Sequence, residues 1–364
     1  MEEKIAVRII SKYLKKGNMA RCLRDILPTA GLTKEQREEI AELVHNVVRW
    51  KKLYGQILHR NGLPLTGENY VKLALNNSQT EGSTFPFEYR YSCSDFVGGV
   101  LKNHSDWAEY LNQTPPTGLC VNLNLSTKSD VLAILQSEHS PAKSSILEPT
   151  ILAHSISKYS KAISQRYAHV QDENSQFVAL ISVSLGNSIL DYCAGNGGKS
   201  LAMASFSKNK KQLHAYELND AKRAILQQRC KEYQANVVVE KKPPNEKYDL
   251  VLVDAPCTGL GAARRNPEAK YIEGPAEFPA TQFSLLKTAA QNVKNYGYLL
   301  YAVCTITPEE TSQVVQHFTQ REEFTVSPLN SLPHAEYLQP TQHGAFTMLP
   351  QGDLFFVSLL QKEE

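Results

Sequence analysis

The sequence predicts an α/β fold, a mainly parallel sheet with helices on both faces, preceded by an all-α domain and a small α+β segment. Three observations carry this prediction. From residue 188 onward, apolar strand-like runs alternate with helical segments. Two of those runs, Val251-Leu252-Val253-Asp254 and Tyr298-Leu299-Leu300-Tyr301-Ala302-Val303, read as buried parallel strands, and each leads into a cysteine, Cys257 or Cys304. The first 60 residues instead repeat their apolar positions at helical spacing.

In that N-terminal stretch Thr33 and Gln36 form a capping-box pattern, and Ile40, Leu43, Val44, Val47 and Val48 recur on one helical face. Arg37, Glu38 and Glu42 fall largely on other faces. From 61 to 115 the chain turns aromatic, with Phe85, Phe87, Tyr89, Tyr91, Phe96 and Trp107 suggesting core, and residues 76–83 read as a loop. Thr114-Pro115-Pro116-Thr117-Gly118 breaks the pattern, and a short α+β segment follows to about 165. Strands are expected near 188–193, 212–217, 236–240, 248–255 and 297–304, with helices such as 219–233 and 281–293 between them. Residues 324–326 and 354–360 add edge strands.

With 364 residues and 42% hydrophobic composition, the chain fits two or three domains with a sizeable core. No stretch approaches the roughly 20 apolar residues of a membrane span, and Met1-Glu2-Glu3-Lys4 does not read as a signal peptide, so a cytoplasmic protein without a membrane partner is expected. The seven cysteines are scattered without CxxC spacing, which points to reduced thiols rather than disulfides or a zinc site; no metal is expected. Net charge is only +2, yet residues 1–60 hold 13 Lys or Arg against 7 Asp or Glu, a weak pointer to a polyanion.

Ile189-Leu190-Asp191-Tyr192-Cys193-Ala194-Gly195-Asn196-Gly197-Gly198-Lys199-Ser200 is a strand running into a glycine-rich turn and a helix, where the backbone can approach a ligand closely. A P-loop needs glycine five positions before the Gly198-Lys199-Ser200 triplet and finds Cys193; a GxGxxG fingerprint finds Ser200 in place of its last glycine. Nucleoside cofactors without a phosphate chain remain. S-adenosylmethionine needs an acidic group for its ribose hydroxyls at the end of the second strand, and Glu217 stands there. The cofactor-binding set is therefore Cys193, Ala194, Gly195, Asn196, Gly197, Gly198, Lys199, Glu217 and Asp254.

Two thiols and an aspartate at strand ends suggest covalent chemistry on an electrophilic carbon. C5 of a pyrimidine is a poor nucleophile until a thiolate adds to C6 and makes C5 enamine-like; C5 then accepts a methyl group, and loss of its proton expels the thiolate. A carboxylic acid at N3 of cytosine favours the addition, a role Asp254 could fill. Cys304 and Cys257 are both candidate thiols.

At these residues the chain resembles the RNA cytosine-5 methyltransferases of the RsmB, or Sun-protein, family. Residues 254–268, from Asp254-Ala255-Pro256-Cys257-Thr258-Gly259 through Arg264-Arg265-Asn266-Pro267-Glu268, are similar to the family's D-A-P-C-S-G-x-G-x-x-R-R-N-P-D signature. Tyr301-Ala302-Val303-Cys304-Thr305-Ile306-Thr307-Pro308-Glu309-Glu310 is similar to Y-S-T-C-S-I-x-P-E-E-N, and Gln171-Asp172-Glu173-Asn174-Ser175-Gln176 to Q-D-x-x-S-Q. The helix carrying residues 42–49, Arg49 included, resembles part of the family's NusB-like N-terminal domain. Asn196 stands where the family's loop carries proline, and Glu217 where aspartate is usual.

The resemblance implies a Rossmann-like class I methyltransferase domain with a seven-stranded, mainly parallel sheet over 169–364, a small α+β connecting segment over 116–168, and a helical NusB-like RNA-binding domain over 1–115. It implies Cys304 as the C6 nucleophile, Cys257 as the residue assisting product release, Lys199 near the reacting base, and Arg264, Arg265 and Arg49 as RNA contacts. The expected substrate is small-subunit ribosomal RNA, with transfer RNA second, acted on by a monomer. The rival readings are a catalytically weakened RNA-binding or ribosome-assembly protein on the same fold and, more distantly, a nucleotide-dependent enzyme using Gly198-Lys199-Ser200.

Overall fold

In the computed structural model, which describes residues 2–364, the chain divides into two compact units. The first comprises residues 2–114 together with 262–274, and the second 115–261 with 275–364. No helix of the described residues is long and apolar enough to cross a membrane.

The first unit is helical, built on Glu2–Lys16, Met19–Ile26, Lys34–Arg49, Lys51–Arg60 and Gly67–Leu75. The capping box forms as read: Gln36 N donates to Thr33 Oγ1 and Thr33 N to Gln36 Oε1. Ile40, Val44, Val47 and Val48 are buried with Ile9, Ile10, Leu53, Tyr54 and Val71. Leu43 sits half-buried at the edge of that core. Gly67 allows its helix to cross the first one, since a β-carbon there would lie 2.3 Å from Ser11 Oγ and 2.8 Å from the Val7 carbonyl. Of the aromatic residues expected in the core, Trp107 is buried, whereas Phe85, Phe87, Tyr89, Tyr91 and Phe96 are half-buried. The stretch read as a loop over 76–83 is largely a 3₁₀ turn, Ser78–Thr84.

Residues 262–274 were expected inside the methyltransferase domain but belong to this helical unit. Lys270 anchors them. Its fully buried ammonium donates to the carbonyl oxygens of Arg49 (2.8 Å) and Tyr91 (3.0 Å) and to Asn112 Oδ1. Beside it, Tyr271 donates its hydroxyl to the Val48 carbonyl at 2.7 Å.

The second unit contains two sheets. The smaller is antiparallel, in the order β2-β3-β1-β4, from β1 (Thr117–Val121), β2 (Ala142–Ser144), β3 (Thr150–Ala153) and β4 (Ala168–Val170). Helix Lys128–Ser137 packs Val131 and Leu135 against Leu119, Val121 and Ile151 of this sheet. This segment, expected as a separate connector over 116–168, groups with the larger sheet in one unit.

The larger sheet uses β5 (Ser188–Asp191), β6 (Gln212–Tyr216), β7 (Val237–Glu240), β8 (Tyr248–Asp254), β9 (Val293–Val303), β10 (Phe324–Val326), β11 (Leu338–Thr341), β12 (Gly344–Thr347) and β13 (Phe356–Lys362). Its order is β11-β12-β13-β9-β8-β5-β6-β7, with β10 also paired to β13. Strands β5 to β9 pair in parallel, and β13 joins β9 antiparallel, Val357 opposite Ala302. The expected seven strands are thus nine. The hairpin β11–β12 went unread because Leu338-Gln339-Pro340-Thr341 is polar and carries a proline, which an edge strand tolerates.

The central strands are apolar without a break because both of their faces are covered. Ile189, Leu250, Leu252, Leu300 and Ala302 pack with Phe177, Ile181, Ala202 and Met203 of helices Glu173–Ser184 and Gly198–Phe206. Leu190, Val251, Val253, Leu299 and Tyr301 pack with Leu286, Val315 and Phe318 of Phe278–Ala289 and Ser312–Thr319 on the other face. The carboxyl ends of β5, β6, β8 and β9 therefore open side by side, where such sheets place their sites.

Candidate active site

The turn after β5 is shaped by Gly195 (φ 55°) and Gly197 (φ 86°), both in the left-handed region. A β-carbon at Gly197 would lie 2.4 Å from Leu226 Cδ1, so the turn packs tightly on helix Asp220–Glu232. At Gly195 nothing lies within 4 Å of that direction, leaving the loop open to a ligand. Asn196, in place of proline, is exposed, and its carbonyl accepts from Arg229 Nη1 at 2.7 Å; that bond restrains the turn where a proline ring is missing.

Around this turn stand two carboxyl groups. Glu217, just beyond β6, accepts from Gly195 N through Oε2 and from Asn219 N through Oε1, both at 2.8 Å. Two backbone bonds fix the longer side chain at the mouth of the loop, each oxygen keeping a further lone pair. Asp191 closes β5 and is buried; Ser200 Oγ donates to its Oδ2 at 2.6 Å, while Oδ1 has no protein partner. Burial pushes its pKa up to about 7 against the Ser200 bond, which favours ionisation. Burial and the nearby Asp191 raise the Cys193 thiol, which therefore stays protonated. An open glycine turn, an acid at its mouth and an unpartnered buried oxygen fit a nucleoside cofactor with hydroxyl and amino donors.

Lys199 follows the turn on the first helical residues and is buried at 7% exposure. Its Nζ lies 2.6 Å from Asp254 Oδ2, at the end of β8, and 4.9 Å from the centre of the Phe355 ring. Burial works against the ammonium, but the Asp254 charge and hydrogen bond outweigh it, and the lysine pKa is raised. A P-loop lysine would instead face phosphates.

Cys257 and Cys304 meet with their sulfur atoms 3.4 Å apart, both as free thiols. The hydrogen bond with Cys257, then burial, then the charges of Cys257 and Asp254 lift the Cys304 pKa well above an ordinary thiol; Lys199 opposes them. The residues following the two cysteines also meet, Thr258 Oγ1 lying 2.8 Å from Thr305 Oγ1. Gly261 keeps these loops close: its N–H donates to the Cys304 carbonyl at 3.0 Å, and a β-carbon would lie 2.0 Å from the Leu354 carbonyl.

Lys199, Asp254, Cys257 and Cys304 thus come together beside the turn of 193–198 and Glu217. Arg264 and Arg49 lie in the helical unit at 2% and 4% exposure. Arg264 sits over the Tyr110 ring at 4.2 Å and donates to its hydroxyl, and Arg49 Nη2 donates to the Arg264 carbonyl at 2.9 Å. Expected as RNA contacts, these two guanidiniums instead hold segment 262–274 to helix Lys34–Arg49, and burial lowers the Arg49 pKa. Arg265 is half-buried. The Q-D-x-x-S-Q segment is structural as well: Asp172 caps helix Glu173–Ser184, and Gln176 bonds Thr150 and the Gln171 carbonyl.

Phe355 and Glu310 carry no clear sign of a role in the sequence. Phe355 follows a polar stretch with no periodicity, so nothing in the sequence placed its ring against Lys199. Glu310 is fully buried beneath both cysteine loops; its signal was a second acidic residue after Thr307-Pro308, within a 3₁₀ turn. Among the described residues no group of three or more His, Cys, Asp or Glu could hold a metal ion.

A sequence model of the family described as "16S rRNA methyltransferase RsmB/F" matches residues 178–361. A Bacillus subtilis protein named "Probable ribosomal RNA small subunit methyltransferase B" is 31% identical over 214 residues, 53% of this chain and 47% of its own length. Ribosomal RNA small subunit methyltransferase B of Thermus thermophilus is 35% identical over 170 residues, 44% of this chain and 42% of its own. The chain spans about half the length of the curated relatives it matches. Among solved structures, PH0851 superposes with a TM-score of 0.79 at 20% identity, covering 100% of this chain and 99% of that one. A methyltransferase homologue from Pyrococcus horikoshii gives 0.62 at 18% identity over 78% of this chain and 99% of its own. These likenesses establish a shared fold.

Proposed function

Because the chain belongs to the RsmB/F family of 16S rRNA methyltransferases, we propose that it methylates C5 of a cytosine in RNA, with small-subunit ribosomal RNA as its substrate and transfer RNA as the second candidate. The observation that carries this reading is the pair of reduced thiols 3.4 Å apart beside the Lys199–Asp254 pair, at the carboxyl ends of parallel strands. S-adenosylmethionine, when bound, supplies an electrophilic methyl group. The turn of Cys193 to Gly198, Glu217 and Asp191 would hold it.

Cys304 is the nucleophile. Its raised pKa means that the thiol must lose a proton before attack, and Lys199 is the neighbour whose charge favours the thiolate. Sγ adds to C6 of the cytosine as the thiol proton passes to N3, and the Asp254 carboxylate, oriented by Lys199, accepts the hydrogen bond of the N3–H so formed, which keeps negative charge from building up on the ring. In the methylated adduct the C5 proton is lost to water, its electron pair returns to the ring as the C6–S bond breaks, and N3 gives its proton back to the departing Cys304 thiolate. Cys257 stands close enough to Cys304 to assist that elimination. The N-terminal helical unit serves as a NusB-like RNA-binding domain.

Methyl transfer from labelled S-adenosylmethionine to RNA from cells lacking this protein tests the reading. Label in 5-methylcytidine that disappears with Cys304→Ala is the expected result. Unchanged labelling in that variant removes Cys304 as the nucleophile.

A further inference from the structure

The loops bearing Cys257 and Cys304 leave different strands, 47 residues apart, and no covalent link holds them together. One buried side chain reaches both. Through Oε1, Glu310 accepts from Thr258 N at 2.9 Å and Gln282 Nε2 at 3.1 Å. Through Oε2 it accepts from Thr258 Oγ1 at 2.5 Å, Thr307 Oγ1 at 2.7 Å and Thr305 Oγ1 at 3.3 Å. Thr258 and Thr305 directly follow the two cysteines. Gln282 Nε2 also donates to the carbonyl of Pro256, which directly precedes Cys257, at 2.9 Å. Tyr301 Oη donates to Glu310's own carbonyl at 2.7 Å, tying this turn to β9.

Few side chains could fill this position. Five donors converge on the two oxygens of a fully buried carboxylate, and an unmet buried donor costs about 1–3 kcal/mol. Shortening the residue therefore frees both loops at once, because each loop is held through the residue next to its thiol. Neither cysteine otherwise has a strong bond fixing its sulfur, since a thiol is a weak donor and a weak acceptor.

We propose that Glu310 is the positioning residue that sets the spacing between Cys257 and Cys304, and through that spacing the efficiency of product release. The release role rests on the cytosine-5 reading above; the spacing role does not. Glu310 is fully buried, and its carboxylate acts through Thr258, Thr305, Thr307 and Gln282.

Thiol cross-linking of the full chain with diamide reads the spacing without RNA or cofactor. Each sulfur gives up one hydrogen, the two join as a disulfide, and the diamide N=N bond is reduced to the hydrazine. The linked Cys257–Cys304 peptide is quantified by mass spectrometry against time. The parent should link fast and Glu310→Ala at least about tenfold more slowly, as misplacement of reacting groups predicts. Glu310→Gln should remain within about threefold of the parent, because its amide oxygen still accepts and the threonine hydroxyls can turn to receive its NH₂. Equal rates in parent and folded Glu310→Ala overturn the proposal. If Glu310→Ala does not fold, Thr307→Val and Thr305→Val, each removing one donor, must slow linking; unchanged rates in both overturn it equally.

With RNA present, Glu310→Ala should raise the share of denaturation-resistant protein–RNA adduct relative to turnover. A merely structural residue would lower adduct and turnover together, which overturns the release role. Should the parent methylate no RNA, the cytosine-5 reading fails while the cross-linking rates still decide the spacing role.

Discussion

Lys199 and Asp254 form an ion pair at 2.6 Å in which the lysine is 8% exposed and the aspartate 30%. The pair joins the helix after the glycine turn to the end of β8, so it couples the cofactor loop to the proposed base-binding acid. Lys199→Met keeps the aliphatic volume against Phe355 and removes the charge. A half-open pair of this kind contributes about 1–3 kcal/mol, less than a fully buried one. The raised lysine pKa fixes the sign with pH: the stabilisation is complete below the unfolded value near 10.4 and is lost as pH climbs through the higher folded value. Urea unfolding at pH 7 to 11 should therefore show a parent–variant gap that narrows only at the alkaline end. Turnover should fall at least about 100-fold, consistent with loss of electrostatic preorganisation.

Asp191 carries the opposite cost. Its folded pKa of about 7 lies above the unfolded value near 3.9, so the fold is favoured while the group is protonated. That contribution is present at low pH, declines above about 4 and is gone once pH passes 7. Asp191→Asn keeps an oxygen for Ser200 and cannot ionise. Its stability relative to the parent should rise between pH 5 and pH 8, by about 3 kcal/mol at most. A gap that stays flat across this range would place the Asp191 titration elsewhere. Cofactor affinity should fall in the same variant, measured by calorimetric titration with S-adenosylmethionine.

The hydrogen bond that the Cys304 thiol donates to Cys257 is the largest influence holding its pKa up. Cys257→Ala should consequently lower the pH at which Cys304 is alkylated by iodoacetamide, and raise its rate at pH 8 by about tenfold. The same variant should accumulate a covalent RNA adduct in the presence of S-adenosylmethionine, visible as a retarded band in a denaturing gel. Cys304→Ala should form none. An alkylation profile unchanged by Cys257→Ala would remove the coupling between the two thiols.

Much of the sheet was legible because its central strands are buried on both faces, which makes Leu190, Val251–Val253 and Leu299–Val303 continuous apolar runs. The meeting of Cys257 with Cys304 was legible only as two similar strand ends; the 3.4 Å contact depends on β8 pairing directly with β9, a tertiary choice that no local pattern encodes. Segment 262–274 was misplaced for the same reason. Arg264, expected as an RNA contact, and Lys270, which carries no signal in the sequence, are satisfied by carbonyl oxygens and the Tyr110 ring in a helical unit more than 140 residues away along the chain. Polar residues buried by long-range partners carry no periodic signal. Glu310 escaped notice on the same ground: its five donors come from three separate segments.

With Arg49 and Arg264 buried, the RNA binding proposed for the helical unit calls for other cations. Lys4, Arg8, Lys15 and Lys16 lie exposed on helix Glu2–Lys16, and Arg21 and Arg24 on the next. Lys12, on the same helix, is already committed to Asp25 at 2.5 Å. Phosphate contacts made by exposed cations add to the salt dependence of binding, roughly one unit of log–log slope for each phosphate neutralised. The double variant Arg8→Glu with Lys15→Glu should therefore weaken binding of a ribosomal RNA fragment and reduce that slope by about 2, with thermal stability unchanged within about 0.5 kcal/mol. Arg264→Ala should do the reverse, costing about 2–4 kcal/mol through the lost Tyr110 contacts and the space left behind, while the salt slope measured on the folded variant stays at the parent value. Filter binding across 50–300 mM salt, alongside melting curves, separates the two. If Arg264→Ala lowers the slope at constant stability, the buried arginine reaches phosphate after all and the basic face of the first helix is not the RNA surface.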